Sequence, residues 1–348
     1  MKTKLSILIG LLVSAALLYF AFRNVDFRKL CVIYGGVNNI FIIPIAAVIM
    51  LELFLRGLRW KLLLDPGARH PFRGIKPQVD TALAVSPAVR VWDAFRLETA
   101  GLALNNILPL RLGEIMRGTS GAGFFQIPMM TVFATILVER ALDTIVLFAL
   151  FAAAAGLGGV TGGLGAYSGY FWTLLGGLAA VIAALIFIDE ITAQRFFSGF
   201  FGKFPRVKKG LANLALGIKA FHSFKTGCAV IALAILQWLL DALNFYLVAL
   251  AFGIEGVINL YKCVVVLFTT AMAASIPGVP GYFGNFEFAV ARVLNTWGVA
   301  DEVGFAFAAY IHMLTYLIVT VLGLIFVYQM GQSLGKVWAQ FRGKTAVR

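Results

Sequence analysis

The stretch LNNILPLRLGEIMR, Leu104–Arg117, decides how this chain is interpreted. It adjoins apolar sequence on both sides, yet it contains two amides, a proline, a glycine and three charges. Pro109 removes a backbone donor and disfavours a continuous helix, and Gly113 permits a close approach of the backbone. In lipid, irregular backbone survives only where protein buries it or where it lines a wet cavity. The stretch therefore predicts either a loop at a membrane surface or a cavity-lining interruption.

The composition indicates an all-α polytopic membrane protein. Hydrophobic residues make up 61% of the chain and charged residues 13%, where globular chains carry about 25% charged residues. The net charge of +13 is explained by basic cytoplasmic loops that face anionic lipid. We expect membrane lipids as partners and no nucleic acid. The cysteines and histidines show no metal-ligand spacing, so we expect no metal and no cofactor.

The apolar runs predict about six spanning helices in one integral membrane domain covering residues 1–348. These runs are Leu5–Phe22, Ile40–Leu64, Ile127–Leu157, Tyr170–Ile188, Cys228–Phe252 and Phe305–Met330. A basic segment at about residues 190–225 is expected to be an amphipathic helix on the cytoplasmic leaflet. The distribution of Lys and Arg predicts cytoplasmic N- and C-termini, in the inner membrane of a bacterium.

The same charge bias decides between the two alternatives for Leu104–Arg117. If residues 95–117 crossed the membrane, the later helices would carry the basic segment outside. We therefore predict a re-entrant hairpin from the cytoplasmic side. A second interrupted stretch, SIPGVPGYFGNFEFAVAR at Ser275–Arg292, contains three glycines and two prolines. The loops flanking residues 260–297 lack Lys and Arg, which predicts a hairpin from the outside.

Two interrupted segments in inverted halves are typical of a transporter with a binding site at the membrane midplane. We therefore expect Gly113 and Gly284 to lie within a head group's length of each other, roughly 15 Å, and not on opposite surfaces about 30 Å apart. The shared polar cavity is expected to include Glu139 or Arg140.

Three ionisable residues lie near the middle of one predicted span: Glu139, Arg140 and Asp143. Intramembrane charges are costly and by default functional, although a structural salt bridge between helices is the alternative. Arg140 and Asp143 can pair at i,i+3. The two carboxylates would repel each other unless a cation lies between them.

Further polar residues follow helical spacing. Glu52, Arg56 and Arg59 share one face and can pair, or the arginines snorkel to the interface. Gln237, Asp241 and Asn244 share another face, either as interhelical hydrogen bonds or as a cavity lining. Glu114 and Arg117 are also spaced for an ion pair.

Three motifs in order, NNILPLRLGEIMRG, ERALD at Glu139–Asp143 and IPGVPGYFGNFE, resemble the transmembrane region of lysylphosphatidylglycerol synthases. The resemblance to this flippase-like family covers about residues 5–329. It implies the translocation or handling of lipids and lipid-linked intermediates. The family's motif positions are held here by Asn105, Pro109, Gly113, Glu114, Arg117, Glu139, Arg140, Asp143, Pro277, Gly278, Pro280, Gly281, Gly284 and Glu287.

One departure from the family pattern concerns the last helix, where His312 stands in place of a frequent arginine. No soluble synthase domain follows in this sequence, so we do not expect a complete lysyl transferase.

A lipid translocator with a polar intramembrane groove is therefore our leading expectation. Candidate substrate-binding residues are Asn105, Asn106, Pro109, Gly113, Glu114, Arg117, Glu139, Arg140, Asp143, Asp241, Pro280, Gly281, Gly284, Glu287, Arg292 and His312. The arginines suit phosphate, and the glutamates suit an amino group or a coupling proton. The alternatives are a membrane-embedded head-group transferase and a non-catalytic partner of a lipid-synthesis enzyme. A homo-oligomer is also a possible assembly.

The predicted topology can be tested with single cysteines in intact cells. A membrane-impermeant maleimide added outside should label Gly298→Cys and leave Gly67→Cys and Gly210→Cys unlabelled, because the basic loops face the cytoplasm. Labelling of Gly210→Cys from outside would refute the topology.

Overall fold

The computed structural model describes residues 27–69, 89–108, 111–157, 176, 221, 223–275 and 280–331. The predicted spans Leu5–Phe22 and Tyr170–Ile188 lie outside these ranges, as does nearly all of the basic segment at 190–225. Pro109, Pro277, Gly278 and the basic C-terminus also lie outside them.

The described residues are mainly α-helical. In chain order the helices are α1 (Phe27–Gly36), α2 (Ile42–Arg69), α3 (Val91–Ile107), α4 (Leu112–Phe125), α5 (Met129–Leu157), α6 (Phe224–Phe252), α7 (Leu260–Ser275), α8 (Asn285–Asn295) and α9 (Asp301–Gln329). Single 3₁₀ turns lie at Asn39–Phe41 and Pro280–Tyr282. These ranges contain no strand, which confirms the all-α class.

Three of the described helical segments are long and apolar enough to cross a membrane: Asn39–Asp65, Phe224–Phe252 and Asp301–Gln329. Local sequence explains the ends of α6. The hydroxyl of Ser223 accepts a hydrogen bond from the Thr226 N–H, as an N-cap does. Gly253, at φ 67°, ends the helix in the left-handed conformation that glycine adopts without strain.

The first interruption separates α3 from α4 at residues 108–111. The two helices have 17 and 14 residues, so they are about 26 and 21 Å long. Both lengths are below the hydrocarbon thickness of about 30 Å, which supports a re-entrant hairpin. Its placement in the membrane stays a prediction. Arg111 has φ 53°, a left-handed conformation in which the chain turns into α4.

The second interruption separates α7 from α8, which have 16 and 11 residues and lengths of about 24 and 17 Å. Tyr282 has φ 61° and Gly284 has φ 89°. Gly284 is the N-cap of α8, and its N–H donates to Oε2 of Glu287 over 2.7 Å. A positive φ favours glycine at this position.

The two interruptions contact each other. The guanidinium of Arg111 donates to the carbonyl oxygen of Ala274 over 3.3 Å and lies 5.9 Å from the centroid of the Tyr282 ring. The interrupted segments therefore meet, whereas the separation of Gly113 from Gly284 and the shared cavity with Glu139 or Arg140 stay predictions.

Helix α9 packs against both interruptions. Asn106, beside the first, donates to the hydroxyl of Thr320 over 3.0 Å. His312 contacts the carbonyl oxygen of Gly281, in the second, over 2.8 Å. The two α9 residues are eight positions apart, or about 12 Å along a helix. One helix therefore holds both interruptions close together.

The crossing of α3 and α4 depends on glycine. A Cβ on Gly113 would collide with the carbonyl oxygen of Gly101 and lie 2.7 Å from Oδ1 of Asn105. Since real side chains do not tolerate such contacts, any substitution forces the two helices apart.

Replacing Gly113 with Ala should therefore destabilise the protein by about 1–3 kcal/mol, the usual cost of overpacking. The matched control is Gly123→Ala, because Gly123 is on the same helix with open space around its Cβ position. The control should stabilise α4 by about 1 kcal/mol. Thermal unfolding in detergent measures both, and equal effects would contradict the packing argument.

Candidate functional site: a buried charge network

Glu139 on α5 is the centre of a network of buried charges. Its side chain is 1% exposed and lies near three arginines from three helices. The distances are 2.6 Å to Nη2 of Arg117, 2.5 Å to Nη2 of Arg140 and 3.5 Å to Nη2 of Arg59. An unpaired buried carboxylate is strongly unfavourable. These arginines supply the compensation that makes its burial tolerable.

Asp143 lies one turn after Glu139 and shares its cations. Arg59 contacts it through two nitrogens, at 2.5 Å and 3.2 Å, and Arg140 lies 3.7 Å away. Like Arg140, Arg59 is thus a cation shared by the two carboxylates. Its side chain is fully buried, so the alternative that it snorkels to the interface is wrong.

Arg117 connects α4 to α3. Its Nη1 lies 2.5 Å from Glu98, and its Nη2 bonds Glu139. The guanidinium also lies 4.4 Å from the centroid of the Trp60 ring, a cation–π contact. The sequence spacing suggested Glu114 as the partner of Arg117; instead, Glu114 lies 3.9 Å from Arg140. The close α3–α4 crossing explains the difference, since it brings Arg117 against Glu98.

The network has one partly open edge, formed by Arg140 and Glu114. Their side chains are 32% and 27% exposed, whereas those of Arg117 and Glu98 are nearly inaccessible. Arg140 is therefore the arginine of the network that an incoming group can reach most easily.

A second branch of charges joins α2 to α6. Arg56 bonds Glu52 at 2.7 Å, as the i,i+4 spacing predicted, and lies 3.7 Å from Asp241. On the same face of α6, the buried side-chain amide of Gln237 and the Oδ1 atom of Asn244 have no hydrogen-bond partner within the described residues. Buried polar groups of this kind are expected where water or a ligand enters, which favours the cavity-lining alternative.

At the second interruption, His312 on α9 is held by two contacts. Its Nδ1 lies 2.6 Å from Oε1 of Glu287, and its Nε2 lies 2.8 Å from the carbonyl oxygen of Gly281. The imidazole stacks between Phe283 and Phe286, with centroids 4.7 and 4.5 Å away. Glu287 and His312 were each predicted as site residues, but their pairing was not predicted from the sequence.

The structure places the predicted site residues in two groups. The charge network contains Glu114, Arg117, Glu139, Arg140, Asp143 and, on its second branch, Asp241. The second interruption contains Pro280, Gly281, Gly284, Glu287 and His312.

The remaining predicted residues lie beside these groups or apart from them. Asn105 and Gly113 lie at the α3–α4 crossing, and Asn106 bonds α9. Arg292 is exposed near the end of α8, 5.7 Å from the ring centroid of Phe288, and contributes to neither group.

Glu98, which lies within the network beside Arg117, was not predicted from the sequence. The available signal was its carboxylate inside the apolar run that begins at Phe95. A carboxylate within a segment apolar enough for a membrane predicts a cationic partner.

Together these features define a multi-pass helical membrane protein in which interrupted helices adjoin a buried charge network. The chain belongs to the lysylphosphatidylglycerol synthase TM region family, whose model matches residues 7–323. This places it among membrane proteins of lipid metabolism or transport.

Two relatives from Methanothermobacter thermautotrophicus are each named a UPF0104 membrane protein. One is 26% identical over 302 residues, covering 82% of this chain and 82% of the relative. The other is 23% identical over 283 residues, covering 74% of this chain and 80% of the relative. No solved structure gives a significant match.

Replacing Arg117 with Ala should destabilise the fold by about 3–5 kcal/mol, because it leaves two buried carboxylates without their shared cation. The matched control is Arg90→Ala, since the Arg90 side chain is 81% exposed and exposed ion pairs contribute about 1 kcal/mol or less. Thermal unfolding and the yield of monodisperse protein measure the effect. Similar stability of the two variants would show that the network is not structural.

Proposed function

We propose that this protein translocates a lipid or a lipid-linked intermediate across the cytoplasmic membrane of a bacterium. The polar head group passes through a groove beside the two interruptions, while the acyl chains stay in the lipid. The observation that carries the proposal is the partly open edge formed by Arg140 and Glu114, next to the nearly inaccessible Arg59, Arg117 and Glu139. Cytoplasmic termini belong to the same proposal and rest on the distribution of basic residues.

The open edge presents both signs of charge to a head group. Arg140 can bind a phosphate oxygen through charge-assisted hydrogen bonds. Its separation of 3.9 Å from Glu114 is longer than a hydrogen bond, so a ligand can displace this contact at low cost. Glu114 is then available for an amino group. Anionic and amino-bearing head groups are therefore the substrate class that this edge suits.

Apolar surface lies next to this polar edge. Ile115 follows Glu114 and is 40% exposed, and Leu137, which is 52% exposed, precedes Arg140 by three residues. Residues three apart lie on the same side of a helix. A lipid can thus place its head group on Arg140 while its acyl chains contact Leu137 and Ile115.

The buried arginines have a different part in this proposal. Arg59 and Arg117 are paired with carboxylates on neighbouring helices, so they position α2, α4 and α5 around the groove. Arg140 is left as the residue that meets the substrate.

Reconstitution into liposomes tests the function. Fluorescent phosphatidylglycerol and its lysyl derivative are placed in both leaflets, and dithionite then quenches the outer one. A translocator exposes the inner label without changing the lipid. Chemical conversion of the lipid would indicate a head-group transferase. If the lipid is neither moved nor converted, the protein is a non-catalytic partner of a lipid-synthesis enzyme.

Replacing Arg140 with Ala should lower the translocation rate about tenfold or more, because a charge-assisted hydrogen bond is worth about 1.5–3 kcal/mol. Some loss of stability is also expected, since Glu139 keeps only two of its cations. The matched control is Arg90→Ala, which removes an exposed arginine outside the network. If the purified Arg140→Ala protein folds poorly but translocates lipid at the normal rate, the arginine is structural only.

A further inference from the structure

We propose that Glu287 and His312 form a site that binds one proton and thereby holds the second interruption against α9. The site joins the N-terminal end of α8, the turn at Pro280–Tyr282 and the middle of α9. The proposal goes beyond translocation, because it assigns a proton-dependent contact whatever lipid is moved.

The geometry fixes the number of protons on this pair. Nε2 of His312 lies 2.8 Å from the carbonyl oxygen of Gly281, which only accepts hydrogen bonds, so Nε2 carries a hydrogen. Nδ1 lies 2.6 Å from Oε1 of Glu287. Two lone pairs do not face each other at this distance, so a second hydrogen lies between these atoms. The pair is then either imidazolium with carboxylate or imidazole with carboxylic acid, and its net charge is zero in both forms.

Loss of that proton leaves three acceptors and one donor. A neutral imidazole has one N–H, so it can donate to Glu287 or to Gly281 but not to both. Whichever tautomer forms, the other contact brings two lone pairs together and must open. One of the two contacts between His312 and the second interruption is therefore lost on deprotonation.

The surroundings of the pair turn this loss into a structural change. Oε2 of Glu287 accepts from the Gly284 N–H, so this carboxylate connects His312 to the N-cap of α8. Phe283 and Phe286 stack on either side of the imidazole, and His312 is buried. A buried polar group left without a hydrogen-bond partner is costly. The second interruption therefore moves away from α9, so that water can replace the contact that His312 has lost.

Other titratable groups near the pair are few among the described residues. The ring of Tyr316 lies 6.5 Å from His312, and Tyr34 on α1 is close enough to Glu287 for an electrostatic interaction. Arg111, in the first interruption, lies over the Tyr282 ring. Charged residues on the other packed helices have partners elsewhere: Glu98 with Arg117, Asp241 with Arg56, Lys262 over Trp297 and Arg292 over Phe288.

Hydrogen exchange of the purified full-length protein in lipid nanodiscs tests this site without a transport assay. The probe is the peptide covering residues 280–290, compared at about pH 6 and about pH 9, two values on either side of neutral pH, where histidines in proteins commonly change charge. Labelling times are scaled so that intrinsic exchange is equal at both pH values. The wild-type segment should exchange at least about fivefold faster at the higher pH, as local opening predicts.

Two variants separate the proton from the contacts. In Glu287→Gln the amide N–H can donate to Nδ1 and the amide oxygen can accept from Gly284, so every contact forms without the extra proton. Its exchange should be slow at both pH values. In His312→Asn the side chain is too short to make both contacts, and exchange should be fast at both pH values. The control Glu255→Gln changes an exposed loop glutamate and should keep the wild-type pH dependence.

Equal wild-type exchange at the two pH values would overturn the proposal, as would wild-type pH dependence in Glu287→Gln. If Glu287→Gln fails to fold, His312→Asn decides alone. An exchange rate of His312→Asn that depends on pH as in the wild type would also overturn the proposal. Because no lipid movement is measured, failure here would be distinct from failure of the translocation assay.

Discussion

The burial of Glu139 is the constraint on which the rest of the structure depends. A carboxylate at this depth must be neutralised, and its cations come from α2, α4 and α5. Arg117 extends the requirement to α3 through Glu98. Buried ion pairs add little net stability, but the loss of one partner is strongly destabilising. The pairs therefore specify which helices must meet, and in what register, more than they add to stability.

The same buried ion pairs determine the candidate site as well as the fold. Because Arg59 and Arg117 are held by carboxylates within the protein, the polar edge is reduced to Arg140 and Glu114. The same helices bring the first interruption against the second, where Arg111 reaches Ala274. Helix α9 then spans both interruptions through Thr320 and His312. Helix α9 thus contacts a polar group at each interruption.

The sequence allowed the helices, the interruptions and their mutual contact to be predicted, because these follow from local rules on apolar length, proline, glycine and charge. The Glu52–Arg56 ion pair could also be predicted from a local rule, because its members are four residues apart. Arg59 and Asp143 are 84 positions apart, and no spacing rule reaches that far. Glu287 and His312 were each selected as candidates, yet their pairing depends on how α8 packs on α9. Glu98 was not predicted as a site residue, because it lies in an otherwise apolar run.

The order of the charged residues along the chain has a consequence for how the protein is made. Both arginines that reach the α5 carboxylates from other helices, Arg59 and Arg117, precede α5 in the sequence. Synthesis proceeds from the N-terminus, so these cations enter the membrane before Glu139 and Asp143 leave the ribosome. Asp241 follows later still, when Arg56 is already in place. For Glu139, Asp143 and Asp241 a cationic partner is therefore synthesised before the carboxylate, whereas Glu98 precedes its partner Arg117.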